Sequence, residues 1–458
     1  MHKIQVSNFM ALKDVAIDIP DLVVLLGEQA SGKSTLSKLV YFFRSLKDEF
    51  IDHIVDLAYG EGQKSEYFND LWQKIGTKFY NYFGSTRHLE PFKIIYHYGN
   101  DGNLTLGLKA DKSLDINFSP PIDQMIRQGQ QRVDKLKQVI GQSNTAERRA
   151  FQQELKLLQN LADLIFSDPC TPLFIPAGRN ITVNYSSQFQ RDFYSKLHRN
   201  LDQIQSAANG SATTSPRPSA DLYMMSQFLD AVDRWADIFK DKSFEDLMAD
   251  RKSLVGSIAD RPLSLVVERF NTILKGEYTH DRYGEKIYLE PESYIYLNNA
   301  SSGQQEAIRI LQDAFLIILQ QSSAFRVIEE PEAHLYPLAQ KSLMEVLTIV
   351  LNTTPSQLIL TTHSPYILSI INNLLFAHRV VAKNPAMAIQ IESIIPPEAW
   401  LNSKKVGVYF LQGGNCENIF DPELGLIDQN RLDEISEVLG EDFNQLYQLH
   451  SQAFAPLG

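Results

Sequence analysis

Gly27-Glu28-Gln29-Ala30-Ser31-Gly32-Lys33-Ser34 is a complete phosphate-binding loop, and its flanks matter as much as its spelling. The apolar run Leu22 to Leu26 ahead of it is short and rich in Val and Leu, which predicts a buried strand. Thr35 to Leu46 behind it is compatible with a helix. A strand, loop and helix in this order bring backbone N–H groups and the positive end of a helix dipole to one spot, where a polyphosphate can sit. Gly27 and Gly32 let the backbone approach the phosphates, and Lys33 supplies a point charge to the β- and γ-phosphates. The Ser34 hydroxyl is placed to ligate a magnesium ion, and Thr35 beside it is a candidate nucleotide contact. The expected ligand is ATP or GTP.

The chain has 458 residues, which suggests two to four units at about 150 residues each. Lys and Arg number 43 against 55 Asp and Glu, a formal charge of −12 that argues against wholesale wrapping of nucleic acid while allowing a local basic groove. Cys170 and Cys416 lie far apart, so neither a disulfide framework nor a zinc spacing is expected, which suits a reducing cytoplasm. Asp313 interrupts the most hydrophobic helix candidate, Ile308 to Leu319, so no membrane span is expected. The N-terminus lacks the long apolar segment of a signal peptide.

Alternating apolar positions in Lys3 to Asn8 and Val15 to Ile19 predict a hairpin leading into the Leu22 to Leu26 strand. Further strands are expected at Phe92 to Tyr98 and Leu104 to Leu108, with Asn100-Asp101-Gly102-Asn103 as the turn. Ile122 to Ile165 is poor in Gly and rich in Gln, Leu, Lys and Arg, which predicts a helical hairpin broken near Gly141 to Asn144. Its Arg127, Arg132, Lys135, Lys137, Arg148, Arg149 and Lys156 read as a solvated face or as a DNA contact. Leu173 to Ile175 predicts a strand ending in Pro176-Ala177-Gly178-Arg179, followed by helices over Gln188 to Gln205 and Leu222 to Asp241. Between those helices, Ala207 to Ala220 has the composition of a flexible loop. Strand signals return at Lys286 to Leu289 and Tyr294 to Leu297.

Helix (Gln304 to Gln320), strand (Phe325 to Ile328), helix (Leu338 to Leu351), strand (Gln357 to Leu360), helix (Tyr366 to Asn373) and strand (Arg379 to Val381) then alternate, the pattern of a parallel sheet covered by helices. Strand-like segments at Ile389 to Ile395 and Val406 to Leu411 follow, then an acidic helical end from Gln429 to Gln452. The expected organisation is an N-terminal lobe over 1–120, a helical hairpin over 121–168, a helical lobe over 169–285 and a C-terminal lobe over 286–458.

Three further stretches carry chemistry. Phe325-Arg326-Val327-Ile328-Glu329-Glu330 ends an apolar strand in two carboxylates. Phosphoryl transfer to water uses such a pair, one to orient magnesium and one to polarise the attacking water; Glu329 is the candidate for the first role and Glu330 for the second. Asn298 to Glu306 opens a helix with Ser302 and Gly303, whose donors could meet a phosphate. The plainer reading there is an N-cap at Ser302 with Gln305 closing a capping box. Leu360-Thr361-Thr362-His363-Ser364-Pro365 ends the next strand with a histidine within reach of a γ-phosphate or the attacking water.

In this order, the glycine-rich loop, Ser301-Ser302-Gly303-Gln304-Gln305-Glu306, Glu329 to Pro337 and Thr361-Thr362-His363-Ser364-Pro365 resemble the ABC-type ATPases of the SMC, RecF and overcoming-lysogenization-defect (OLD) group. The Glu-Glu-Pro-Glu-Ala-His spelling is especially similar to OLD-like ATPases and to ATPase subunits of anti-phage systems such as Septu and PARIS. The resemblance covers roughly the first fifty residues and Asn298 to Ile371. It implies an α/β head with a P-loop parallel or mixed sheet, an antiparallel β subdomain and a helical insertion lobe. It also implies an ATP sandwich, in which two heads pair head to tail and Ser302 and Gly303 of one meet the γ-phosphate held by Lys33 of the other. Glu329 would bind magnesium, Glu330 act as base and His363 sense the γ-phosphate, and Leu335 and its neighbours would match the loop that crosses the dimer interface.

Two departures mark this chain. Ser301 to Gln305 replaces the Leu-Ser-Gly-Gly-Gln spelling, and no glutamine is identifiable after the second core strand of the family. Pro176-Ala177-Gly178-Arg179 occupies that place by layout, making Arg179 a candidate phosphate or interface contact. No Asp-x-Asp follows His363, so the Toprim nuclease domain of OLD relatives is not expected, and the helices of 122–165 are too short for an SMC coiled coil. The expected function is an ATPase whose ATP-dependent dimerisation, or higher assembly, regulates an effector encoded nearby, such as a nuclease or toxin, in prokaryotic anti-phage defence. The alternatives are a RecF-like DNA repair ATPase and a nucleotide-gated scaffold with little turnover.

Overall fold

The alternating residues near the N-terminus pair as a hairpin: β1 (His2–Phe9) and β2 (Leu12–Ile19) run antiparallel, with Ile4 opposite Ile17 and Val6 opposite Val15. The computed structural model describes residues 1–60, 67–99, 102–139, 145–184, 220–421 and 423–427. The expected helix over 188–205, residues 207–219 of the loop, the hairpin break at 141–144, turn residues 100–101 and the acidic end over 429–452 lie outside the described residues.

β3 (Leu22–Gly27) leads through the phosphate loop into α1 (Lys33–Tyr59). This helix runs past the expected Leu46 because Phe50, Ile54 and Leu57 continue its buried stripe, and it stops at Gly60 with φ 92°, a left-handed C-cap. α2 (Tyr67–Phe83), a helix the sequence pattern did not announce, packs beside it. β4 (Lys93–Tyr98), β5 (Gly102–Leu108) and β6 (Leu114–Phe118) form an antiparallel meander on β1. α3 (Pro120–Val139) and α4 (Thr145–Ile165) make the expected hairpin, followed by β7 (Thr171–Ile175).

After α5 (Ala220–Phe239) come α6 (Phe244–Val255) and α7 (Asp260–Leu274). A separate antiparallel sheet of β8 (Glu277–Asp281), β9 (Gly284–Glu290) and β10 (Ser293–Tyr296) follows. The chain then alternates through α8 (Ser302–Gln320), β11 (Ala324–Glu329), α9 (Pro337–Thr353), β12 (Gln357–Thr362) and α10 (Pro365–Lys383), and closes the main sheet with β13 (Val406–Gln412) and β14 (Asn415–Asn418).

Among the described residues the main sheet has 11 strands in the order β6-β5-β4-β1-β2-β14-β13-β3-β12-β11-β7. β13, β3, β12, β11 and β7 are parallel, so the phosphate loop, Glu329–Glu330 and the Thr361–His363 segment leave one edge of the sheet from adjacent strands. Parallel strands buried on both faces read as continuous apolar runs, as Leu22 to Leu26 does. Leu22, Val24 and Leu26 face one core with α5, α7 and α8; Val23 and Leu25 face the other with α1 and α2. The result is an α/β architecture with a mixed sheet, an additional antiparallel sheet and helices on both faces.

Two sequence expectations are corrected. Arg379 to Val381, read as a strand, belongs to α10, whose buried Ile367, Ile371, Leu374 and Leu375 recur at helical spacing and override the β preference of the valines. Ile389 to Ile395, also read as strand-like, contains a short helix over Ala388–Glu392, and its Ile389 and Ile394 are exposed rather than paired in a ladder. No helix among the described residues is long and apolar enough to cross a membrane.

Candidate functional site

Gly27 has φ 146° and Gly32 φ 101°, backbone regions that side chains rarely adopt. A Cβ at Gly27 would lie 2.1 Å from the Leu411 carbonyl oxygen, and one at Gly32 would lie 2.5 Å from Leu12 Cδ2. Glycine is therefore required twice over, by dihedral angle and by space. Gly32 is the N-cap of α1, so the loop's N–H groups gather at that helix start. Lys33 Nζ donates to Gly27 O and Glu28 O, each at 2.7 Å, and lies across the mouth of the loop. Burial lowers the Lys33 pKa, with the charges of Glu330 and Glu332 acting in the opposite direction. Ser34 is exposed at the first helical turn and Thr35 is half-buried behind it.

Glu329 ends β11 with its Oε1 buried and without a hydrogen-bond partner among the described residues. An unsatisfied buried carboxylate oxygen is costly unless something else completes it, and a hard divalent cation or its water shell fits that requirement. Glu330 follows with φ 44°, a left-handed conformation that costs a non-glycine residue about 1–3 kcal/mol. Neighbours hold it there. Glu330 N donates to Thr361 O at 2.9 Å, and Glu330 O accepts from Ala333 N at 3.0 Å and from Arg179 Nη2 at 3.0 Å. The half-exposed Glu330 carboxylate stands 3.7 Å from His363 Nε2, so the structure brings the candidate base and the candidate sensor together.

Glu332 is a site residue that motif reasoning passed over. Its Oε1 accepts from Thr362 Oγ1 at 2.6 Å and from His363 N at 3.1 Å, tying the turn after Glu330 to the backbone that carries the imidazole. Its Oε2 is buried with no partner among the described residues. In the sequence it is carried only within the Glu329 to Pro337 spelling, without a role of its own.

At the start of α8 the N-cap is Ser301, closed by Gln304 in a capping box, one position ahead of the expected Ser302 and Gln305. Ser302 is thereby left exposed in the first turn, while Gln305 ties the incoming loop through Leu297 O, Asn298 O and Ala300 O. Gly303 is buried against the turn that follows Glu330, where a Cβ would lie 2.5 Å from His334 O. His334 itself has φ 60°. The helix start and the carboxylate turn of one chain are thus in direct contact.

Arg179, expected at a phosphate or an interface, is fully buried behind the site instead. Its Nε donates to Glu306 O at 3.1 Å, its Nη1 to Pro176 O at 3.0 Å and to Glu329 O at 2.6 Å, and its Nη2 to Glu330 O at 3.0 Å. Four of the five guanidinium N–H groups are committed to backbone carbonyls, which turns the side chain away from any solvent-borne anion.

Within the basic hairpin, Arg127 pairs with Asp123 at 2.9 Å and Arg132 with Glu154 at 3.2 Å, so two of the seven expected cations are matched locally.

The chain matches the family described as AAA ATPase domain over residues 1–163 and 172–368. No curated protein matches it. Among solved structures it is similar to the Smc head bound to the C-winged helix domain of ScpA, at 10% identity and TM-score 0.39, over 91% of this chain and 96% of that one. It is likewise similar to the SMC head domain from Thermotoga maritima, at 12% identity and TM-score 0.34, over 91% and 97%. The recombination mediator protein RecF-ATPrS gives 10% identity and TM-score 0.32, over 91% and 97%. Superpositions this loose add nothing to the assignment, which rests on the family match.

Proposed function

This chain belongs to the AAA ATPase domain family and is an ATPase, and from that premise we propose that it works as a pair of heads, each completing the other's nucleotide site. Lys33 and the N–H groups of the Gly27–Ser34 loop hold the triphosphate of ATP. Ser34 and Glu329 are the residues that would hold Mg2+, which when bound neutralises charge on the phosphates. Glu330 takes a proton from the attacking water, and His363, 3.7 Å from it, hydrogen-bonds the γ-phosphate and registers its presence. Ser302 and Gly303 of the partner head close over that phosphate, giving ATP binding and head pairing a shared set of contacts.

The observation that carries this reading is the exposed rim around the site. Ser302 opens a helix at the surface, while Tyr336 (74% exposed), Leu338 (70%) and Tyr366 (54%) stand at the starts of α9 and α10, on the edge where β11 and β12 deliver Glu330 and His363. Large apolar side chains in that position suit a surface that is covered when a second head arrives.

The Glu329-Glu330-Pro331-Glu332-Ala333-His334 spelling supports a further step, in which pairing regulates an effector protein in anti-phage defence. A DNA contact through the hairpin is less favoured, because Arg127 and Arg132 already have acidic partners.

The test is Glu330→Gln with Mg2+ and ATP. Turnover is expected to fall by about 100-fold or more, nucleotide binding to persist, and light scattering to report twice the monomer mass. A variant that hydrolyses at the wild-type rate, or that stays monomeric at saturating ATP, contradicts the reading.

A further inference from the structure

Arg179 and Glu306 form a buried cross-tie between two elements that serve different nucleotides in the paired arrangement. Arg179 follows β7 and is 0% exposed; Glu306 lies on α8, four residues beyond Ser302, and is 2% exposed. The tie is reciprocal. The Glu306 carboxylate accepts from Arg179 N at 3.0 Å and from Asn180 N at 3.4 Å, and stands 3.3 Å from Arg179 Nε. The guanidinium in turn grips the Glu306 carbonyl and the carbonyls of Glu329 and Glu330.

One side chain therefore bonds both to the helix whose start would cap the partner's ATP and to the turn that holds this chain's own candidate metal ligand and base. Glu330 is strained at φ 44°, and the Arg179 bond to its carbonyl is one of the contacts that keep it there. Glu306 and Arg179 form an unbroken chain of contacts from α8 to the Glu330 peptide. Buried charge pairs hold geometry better than they add stability, since desolvation offsets most of their attraction.

We propose that Arg179, held by Glu306, is a positioning residue that couples closure of the Ser302–Gly303 helix start over one nucleotide to alignment of Glu330 at the other. The inference rests on the head-pairing reading and adds a direction of signalling to it. Arg179 is fully buried with its guanidinium bonded to backbone carbonyls, so its effect is on pairing and turnover and not on the first nucleotide contact.

The experiment compares Arg179→Lys and Glu306→Gln, each alone and combined with Glu330→Gln, using a fluorescent ATP analogue with Mg2+, light scattering across an ATP titration, and steady-state turnover. Both variants are expected to bind nucleotide with wild-type stoichiometry and with affinity changed by no more than about threefold. The ATP concentration for half-maximal pairing in the Glu330→Gln background should rise about tenfold, and the Hill coefficient of turnover should fall towards one, a coupling loss of ordinary size.

A purely structural role would lower binding stoichiometry and melting temperature together and leave the pairing midpoint of the folded fraction unchanged. That result overturns the proposal, as does a wild-type midpoint with wild-type cooperativity. If Arg179→Lys does not fold, Glu306→Gln, which keeps the side-chain shape and a carbonyl acceptor, is read by the same three measurements. Failure of Glu330→Gln alone to pair would contradict the head-pairing reading; pairing by Glu330→Gln with an unmoved midpoint in the double variants would remove only the role of Arg179.

Discussion

Positive-φ backbone occurs in the phosphate loop at Gly27, Gly32 and also Ala30 (φ 62°), and in the carboxylate turn at Glu330 and His334; the two glycines and the two turn residues obtain it by opposite means. Gly27 and Gly32 adopt φ 146° and 101° because they carry no side chain. Glu330 and His334 adopt 44° and 60° although they do, and contacts distant in sequence hold the turn: Thr361, Arg179 and, through His363, Glu332. The first device is local and self-sufficient. The second keeps a functional carboxylate where glycine would suit the backbone better, at the cost of dependence on other elements, and that dependence makes the turn responsive to events elsewhere in the chain.

The largest expected effect concerns the helix that packs on the turn. Arg309 anchors α8 from behind through Glu285, with bonds of 2.6 and 2.7 Å. Glu285→Gln leaves the fully buried Arg309 guanidinium without the carboxylate bonded to it, the more remote charge of Asp233 being its remaining counter-charge, and should destabilise the protein by about 3–5 kcal/mol. Burial pushes the Glu285 carboxyl up, but the charge and hydrogen bonds of Arg309 outweigh it and hold the pKa down to about 2, against an ordinary 4.5. A depressed carboxylate contributes stability that is complete above the unfolded pKa and lost on acidification. The gap between wild type and variant in denaturant titrations should therefore be full at neutral pH and close as pH falls from 4.5 towards 2. A gap independent of pH would remove the ion pair as its cause.

A smaller effect separates the two left-handed devices. Gly32→Ala introduces a Cβ at φ 101°, 2.5 Å from Leu12 Cδ2, and should cost about 1–3 kcal/mol in chemical denaturation while weakening nucleotide binding. His334→Gly should change stability by less than about 1 kcal/mol, since relief of its backbone offsets the added freedom of the unfolded chain. Equal losses from both would show that the comparison is false.

The smallest effect tests the clamp on His363. Glu332→Ala removes the bonds from Thr362 Oγ1 and His363 N and should reduce kcat about tenfold, with little change in nucleotide affinity. Glu332→Gln keeps a carbonyl acceptor and should retain most of the activity. If Gln is as damaging as Ala, the charge of Glu332 matters and the clamp does not.

The same contrast explains what could be read before the structure. The cradle was legible because its requirements are written in eight consecutive residues between an apolar run and a helix. Glu329, Glu330 and His363 were legible as strand ends, and the parallel sheet does set them on adjacent strands. What ties them together was not legible. Glu332 has no role of its own in the sequence until Thr362 and His363 are beside it, and Arg179 reads as a candidate phosphate or interface contact until Glu306, 127 residues away, is seen bonded to it in the interior. Arg379 to Val381 misled for a related reason, since β-branched residues suggest a strand and only the buried stripe of α10 decides otherwise.

The central claim is that each nucleotide site is shared between two heads, and mixing two inactive variants tests it most directly. Lys33→Ala lacks a working cradle and Ser302→Arg a working cap, so neither should hydrolyse ATP alone. Mixed in equal amounts, the two form a heterodimer with one site assembled from intact parts, and turnover should rise above that of either variant. About a quarter of wild type is the ceiling, because half of the pairs are mixed and each holds one good site of two; turnover falls below it to the extent that Glu330 depends on closure at the other, empty site. Turnover that stays at the level of the separate variants, although both fold and the mixed pair forms, would contradict a shared site.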